Sequence, residues 1–394
     1  MSALTTSPVA LRLLIVSIVA RLPLAMLAIG VLVHVEHTTG SFAVAGAASG
    51  TLAVAQGAGG PLLGRLVDRR GQTAVLVPSA LVAGAALAAV AMLPADAPLV
   101  ALLAVTGVLG FATPPVPACL RALLPTLVRE PAALRSAYAV DSAAVELTWI
   151  SGPPLVLVAG ALTSTGLALA GAGGLLLAAT LVFAAQPASR AWRPEGAATA
   201  VGALRSPGVR TLALVLAGAG LLFGATEVGV TAAADALGET AAAGPLLGLW
   251  GVGGLLGGLA ATRAGGGART GAGLAVLLAA LAAAHMGLAA AAGSIIVLGG
   301  AMVVAGTLIA PTFATAYAMV DAAAPAGTVT EAFAWMATAV ALGTSAGAAA
   351  GGVVADAAGP ASTFLVAGVG ATLVAAVAAA RARTLTAAVA PATA

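Results

Sequence analysis

The chain has 394 residues, of which 61% are hydrophobic and 7% charged, where an ordinary soluble domain carries about a quarter charged residues. No soluble fold can bury that much apolar surface, so the chain reads as an all-α membrane protein. The formal charge is +3, all 16 basic residues are arginine, and Cys119 is the single cysteine, which argues against nucleic-acid binding, an intramolecular disulfide and a cysteine metal cluster.

A bilayer crossing takes roughly 20 apolar residues, and twelve such stretches follow one another: 10–33, 42–63, 73–93, 98–120, 136–161, 166–186, 209–232, 241–262, 271–292, 295–320, 328–352 and 361–380. The first carries Arg21 in its middle and lacks a small-residue cleavage site, so it is expected to remain as a span. His34, Glu36 and His37 follow on a short loop and are expected to form a solvated edge. Span four ends in Thr113, Pro114, Pro115, Val116 and Pro117, which predicts a bent helix. Span five carries Asp141 and Glu146. At about 1.5 Å per residue, Glu146 and Arg21 lie at similar depth near the midplane, which predicts a buried pair. Its roles divide between a titrating carboxylate, with Arg21 tuning it or holding an anionic substrate group, and a permanent salt bridge; Asp141, nearer one end, is a relay or a solvated group. Later in span five, Gly152 and Pro153 predict a bend pressed against a helix of the other half of the chain. Glu227, late in span seven, is expected to face the outer half of a cavity, and His285 in span nine reads as a satisfied histidine. Span ten contains Pro311, a second bend, with Phe313 and Tyr317; these two, Trp149 and Trp335 are candidates for stacking on a ligand or for plain helix packing. Glu331 opens span eleven, where a carboxylate favours the helix dipole, as a cap or as a partner for Arg69 or Arg70.

The arginines order these spans. All except Arg21 fall in alternate loops or beside the chain ends, while the intervening loops carry His34, Glu36, His37, Asp96, Asp235, Glu239 and Asp356. By the positive-inside bias both termini are expected in the cytoplasm, in a cell inner membrane. The polar stretch from Gln186 to Pro207 divides the chain into a bundle at 1–186, a linker at 187–208 and a second bundle at 209–394. The halves are similar to each other: Gly60–Arg69 (GPLLGRLVDR) matches Gly253–Thr262 (GGLLGGLAAT) at an offset of 193, and weaker matches at offsets of 200 and 195 follow in order. Two pseudo-symmetric bundles of six helices are what alternating access around a central site requires.

The loop Gly64–Gly71 (GRLVDRRG) resembles the signature of the major facilitator superfamily, with Gly64, Leu66, Asp68, Arg69 and Gly71 fitting and Gln72 and Thr73 standing where a basic pair would be. The resemblance implies a secondary transporter whose Asp68 and Arg69 belong to a cytoplasmic gate, with Asp68 near the N-terminus of span eleven and Arg121 available as a countercharge. Ala261 is expected where the second half would repeat Asp68. Glu146–Pro154 (ELTWISGPP) is similar to the Gly-Pro element of the antiporter branch, except that Val156 replaces a glycine. Together these imply proton-coupled efflux of a small drug-like molecule or metabolite by a monomer, with proton-coupled import of a small anionic or polar solute as the alternative. No HExxH or nucleotide-binding motif is present, so an enzyme and a nucleotide-driven pump are disfavoured, and neither a metal site nor a cofactor is expected.

Overall fold

A computed structural model describes residues 8–193 and 202–387. The expected linker thus lies partly outside the described residues, at 194–201 with Pro194 and Glu195. The described chain is helical, with fifteen α-helices: α1 Pro8–Thr39, α2 Phe42–Arg70, α3 Gln72–Met92, α4 Leu99–Phe111, α5 Val116–Leu127, α6 Pro131–Leu162, α7 Thr165–Ala184, α8 Pro187–Ala191, α9 Pro207–Ala236, α10 Ala243–Arg263, α11 Gly271–Ala291, α12 Ile295–Gly306, α13 Ile309–Ala323, α14 Val329–Ala380 and α15 Ala382–Ala387. Helices satisfy every interior backbone group within one segment, the requirement for crossing hydrocarbon. Their starts are set by side chains that accept free N–H groups, as Ser41, Glu130, Ser164, Ser206 and Thr270 do.

Ten helical segments among the described residues are long and apolar enough to cross a membrane. The α2 helix, whose last turns carry Arg65, Asp68, Arg69 and Arg70, falls outside that set, and the 52-residue α14 counts once although it holds two crossings joined at Gly359, where φ is +78°. With these two, the crossings number twelve, as expected. Large apolar side chains such as Val54, Ile296 and Val353 stay exposed on the helix surfaces, which a lipid-facing exterior accommodates.

The fourth and tenth crossings are each broken in two, for the same reason. Proline has no N–H and frees the carbonyl four residues earlier; Pro115 frees that of Phe111, where α4 ends, and Pro311 that of Thr307, where α12 gives way to α13. Each freed carbonyl abuts a glycine of a neighbouring helix that leaves no room for a β-carbon, Gly59 of α2 and Gly257 of α10. These glycines stand 198 positions apart, so the halves repeat in three dimensions at that offset rather than 193. In alanine- and glycine-rich helices a shift of five residues still matches small on small. On the structural register of 198, Gly266, packed on the backbone of Arg135 and Ser136 just past the end of α10, takes the place of Asp68 rather than Ala261 in the last turn of α10.

The outer edge expected at His34 also differs. The α1 helix continues to Thr39, and His34 is buried with Nε2 donating to the carbonyl of Val90 at 3.3 Å and Nδ1 accepting from Thr165 Oγ1 at 2.9 Å. A histidine with both ring nitrogens satisfied ties α1 to α3 and α7 instead of facing solvent.

Candidate functional site

The centre of the molecule holds a charge cluster from three helices of the first half. Asp141 of α6 is fully buried between Arg21 of α1, Nη2 to Oδ1 at 2.5 Å, and Arg121 of α5, Nε to Oδ2 at 2.7 Å. Both arginines are 4% exposed. One carboxylate balances one of the two guanidinium charges, leaving the cluster net positive. Among the described residues the Arg21 guanidinium has no hydrogen bond of good geometry, and its contact is the short ion pair with Asp141. The guanidinium carbon of Arg121 lies 3.8 Å from the ring centre of Tyr317, on α13 of the second half, a cation–π contact between the halves.

This arrangement corrects three expectations. Arg21 pairs with Asp141, not Glu146; Asp141 is buried rather than solvated; and Arg121 serves the buried cluster rather than Asp68. Depth along a helix does not choose the partner. Positions 141 and 146 are five residues apart, about 140° around the helix, so Asp141 faces α1 and α5 while Glu146 faces the second half. The Glu146 carboxyl lies against Gly254 of α10, where a β-carbon would meet it at 2.9 Å. It is partly accessible and has no hydrogen-bond or ion-pair partner among the described residues. Its neighbours on α6 continue the contact: Ile150 packs on Gly251 and Ala143 on Gly258.

Beside the cluster runs a chain of aromatic rings. Trp250 meets Phe223 edge-on at 5.2 Å, Phe223 stacks on Phe313 at 5.7 Å, Phe313 meets Tyr317 at 5.8 Å, Tyr317 meets Phe333 at 6.0 Å and Phe333 meets Tyr138 at 6.1 Å. Buried His285 closes the far end, accepting from Trp250 Nε1 at 3.2 Å while Nδ1 donates to the carbonyl of Leu281. Of the four aromatics singled out in the sequence, Phe313 and Tyr317 belong to this chain, whereas Trp149 is 59% exposed and Trp335 is half-buried outside it. Phe223, Trp250, Phe333 and Tyr138 were missed. With so few aromatics in the whole sequence, each could have been treated as a candidate. Glu227, one turn from Phe223 on the same face of α9, is exposed.

Further toward the arginine-rich end the halves are sealed together. Asp68 is buried and accepts backbone N–H bonds from Thr330 at 3.0 Å and Glu331 at 2.7 Å, using the unpaired donors at the first turn of α14. Gly64 lets α2 approach that turn closely. Thr338 Oγ1 donates to the carbonyl of Gly57, Arg135 Nε to that of Gly265 and Ser136 Oγ to that of Thr262. The cation facing Glu331 is Arg65, at 4.0 Å; Arg69 and Arg70 are exposed. Arg65 stands four residues before Arg69 on the same helix and faces α14, whereas Arg69 and Arg70 in the last turn are exposed.

Gly152 and Pro153 also sit differently from expectation. The α6 helix runs unbroken through Pro153 and Pro154, and Gly152 packs on Ala25 of α1, within the first half. The face of α6 turned to the second half is that of Ala143, Glu146 and Ile150. Pro114 and Pro311 lie at the breaks of the fourth and tenth crossings. Among the described residues no group of His, Cys, Asp and Glu could hold a metal ion.

Solved structures share this architecture. The human organic anion transporter MFSD10 (TETRAN) superposes with a TM-score of 0.74 at 17% identity, over 94% of this chain and 98% of that one. A bacterial homologue of the iron transporter ferroportin in its outward-facing state superposes with a TM-score of 0.73 at 18% identity, over 95% of this chain and 100% of that one. No curated protein sequence matches the chain. The family model of the Major Facilitator Superfamily matches residues 13–330. Twelve crossings, a broken fourth and tenth helix and an Asp68 seal thus go with sequence and fold alike: the chain belongs to the Major Facilitator Superfamily, and is a multi-pass membrane transporter of the secondary type.

Proposed function

We propose that the protein is a proton-coupled antiporter that exports a small drug-like molecule or metabolite, with Glu146 carrying the proton. The observation that supports this most is the unpaired Glu146 carboxyl between the halves, against Gly254. A charge at the centre of a membrane helix costs roughly 2.5–3.5 kcal/mol on insertion scales. Glu146 therefore stays protonated while α6 and α10 exclude water around it and ionises when their separation admits water. Binding of a substrate next to Glu146 and loss of its proton then favour opposite arrangements of the two halves. Asp141 is unsuited to that role, since two arginines hold its charge. The aromatic chain supplies a flat, polarisable wall for an organic substrate. In this reading the two six-helix bundles, 1–186 and 209–394, rock about the linker, the arginine-rich end is cytoplasmic with both termini, the protein acts as a monomer in the inner membrane, and Glu227 faces the outer part of the cavity.

A second reading is proton-coupled import of a small anion. The net positive charge of Arg21, Asp141 and Arg121 and the absence of hydrogen bonds on Arg21 support it, as does the fold shared with an organic anion transporter. Inside-out vesicles with an acid lumen and a pH-sensitive dye separate the two. Under exchange, candidate substrates added outside dissipate the gradient in wild type and not in Glu146→Gln; a symporter responds only to substrate loaded inside. If Glu146→Gln exchanges as wild type does, the proton is carried elsewhere.

A further inference from the structure

The second half contains a cavity that the transport cycle described above does not use. It opens on the outer surface between α10 and α11, which follow each other in the chain yet diverge, and α13 forms its floor. Its volume is about 800 Å³, in the upper part of the range of about 300–1,000 Å³ typical of small-ligand pockets. Leu256, Ala260, Ala264, Val276, Leu277 and Pro311 line it, almost wholly apolar and at the depth of the membrane helices. Thr307 is the polar side chain in its wall, and the loop at the arginine-rich end closes it at Gly267 and Ala268.

That loop is cationic. Arg263 ends α10 and Arg269 precedes α11; both are exposed and neither has an ion-pair partner among the described residues. Arg135 of the first half reaches over, donating from Nε to the carbonyl of Gly265 at 3.2 Å, close enough to Arg269 for their charges to repel. The carboxylate near Arg135 is Glu130, whose two oxygens are occupied by the N–H groups of Ala132 and Ala133 at the start of α6. An apolar slot of this size, ending at two exposed arginines without an ion-pair partner and with Arg135 beside them, matches an amphiphile with a long apolar tail and an anionic head.

The geometry points to a binding site for an anionic phospholipid: an acyl chain lies in the slot between α10 and α11, and the phosphate head bridges Arg269 and Arg263 of the second half to Arg135 of the first. The bound head offsets the repulsion between Arg135 and Arg269 and fastens the loop and the last turn of α10, which carry the Arg135–Gly265 and Ser136–Thr262 contacts. The lipid thereby reinforces the closed, arginine-rich end of the transporter.

Native mass spectrometry of the purified, delipidated full chain tests this, with phosphatidylglycerol and phosphatidylcholine of identical acyl chains as probes. Each arginine facing an anionic head is worth about fivefold in binding, so wild type is expected to retain phosphatidylglycerol about tenfold or more over phosphatidylcholine. The Arg263→Gln/Arg269→Gln variant, altered only at exposed side chains, is expected to lose that preference. Ala260→Trp, which fills the slot and leaves the arginines in place, is expected to lower retention of both lipids. Equal retention of the two lipids by wild type, or an unchanged preference in the double variant, would overturn the site. Loss of preference in the double variant with undiminished binding in Ala260→Trp would overturn the slot as the seat of the chain.

Discussion

Asp141 and Glu146 stand five residues apart on one helix and are opposite in kind. Asp141 is enclosed by Arg21 and Arg121, and its charge is part of what holds α1, α5 and α6 together. Glu146 faces a glycine of the other half and has no partner among the described residues. The charge of a buried carboxylate between two arginines is fixed by its partners; in the proposed cycle, a carboxyl with none is free to change its protonation. The difference comes from the direction in which α6 presents each side chain, since both sit in the membrane interior.

Breaking the comparison at Asp141 should have the largest effect on stability. Asp141→Ala leaves two buried guanidinium groups uncompensated, and removing one partner of a buried pair costs about 3–5 kcal/mol. The expected result is a collapse of the melting temperature and of yield in the membrane. Glu146→Gln, by contrast, replaces an unpaired carboxyl with a neutral amide of the same shape and should leave the melting temperature unchanged or raised, with proton-coupled exchange lost. A similar thermal penalty for both variants would erase the distinction.

The interface that Glu146 faces can be loosened from its end. Asp68→Ala removes two hydrogen bonds to a charged acceptor, each worth about 1.5–3 kcal/mol, and should release α2 from the start of α14. Labelling of a cysteine placed at the exposed Arg69 would report this as faster modification than in the parent. The two proline-broken crossings allow a matched test: Gly257→Leu and Gly59→Leu each force a side chain against a freed carbonyl, an overpacking cost of about 1–3 kcal/mol. Both should destabilise, but only Gly257→Leu, on the helix that contacts Glu146, should also alter the pH profile of exchange.

The smallest effect is expected at Glu130. Its carboxylate accepts from the backbone N–H groups of Ala132 and Ala133, which hold its pKa below the ordinary glutamate value. A depressed folded-state pKa gives a contribution that is present above the unfolded pKa and lost as pH falls through the folded one. The difference in melting temperature between wild type and Glu130→Gln should therefore narrow on acidification and not on moving toward alkaline pH.

Much of this was legible in the chain itself. The twelve crossings follow from apolar length, the position of the Asp68 seal from the Gly64–Gly71 signature, and the breaks of the fourth and tenth crossings from Pro114, Pro115 and Pro311. Partner choice was not legible. Whether Arg21 meets Asp141 or Glu146 depends on the rotation and tilt of α1 and α6, which their apolar sequences leave open because nearly every face is hydrophobic. Arg121 read as a loop residue because its crossing breaks at Pro115 and resumes as α5, drawing it inward. His34 read as surface, and is buried because Val90 and Thr165 satisfy both its nitrogens. The aromatic chain gathers residues from α6, α9, α10, α13 and α14, and only the folded arrangement brings them together.

The central claim is that the protonation of Glu146 is linked to the separation of the halves. It is tested most directly by electron–electron distance measurement between spin labels at the exposed Thr39 and Leu237, at the ends of α1 and α9 away from the Asp68 seal, in acid and in neutral solution. The account predicts that the distance distribution of wild type shifts between the two conditions and that Glu146→Gln holds the acid distribution in both. A Glu146→Gln protein whose distances still shift with pH as wild type does would contradict it.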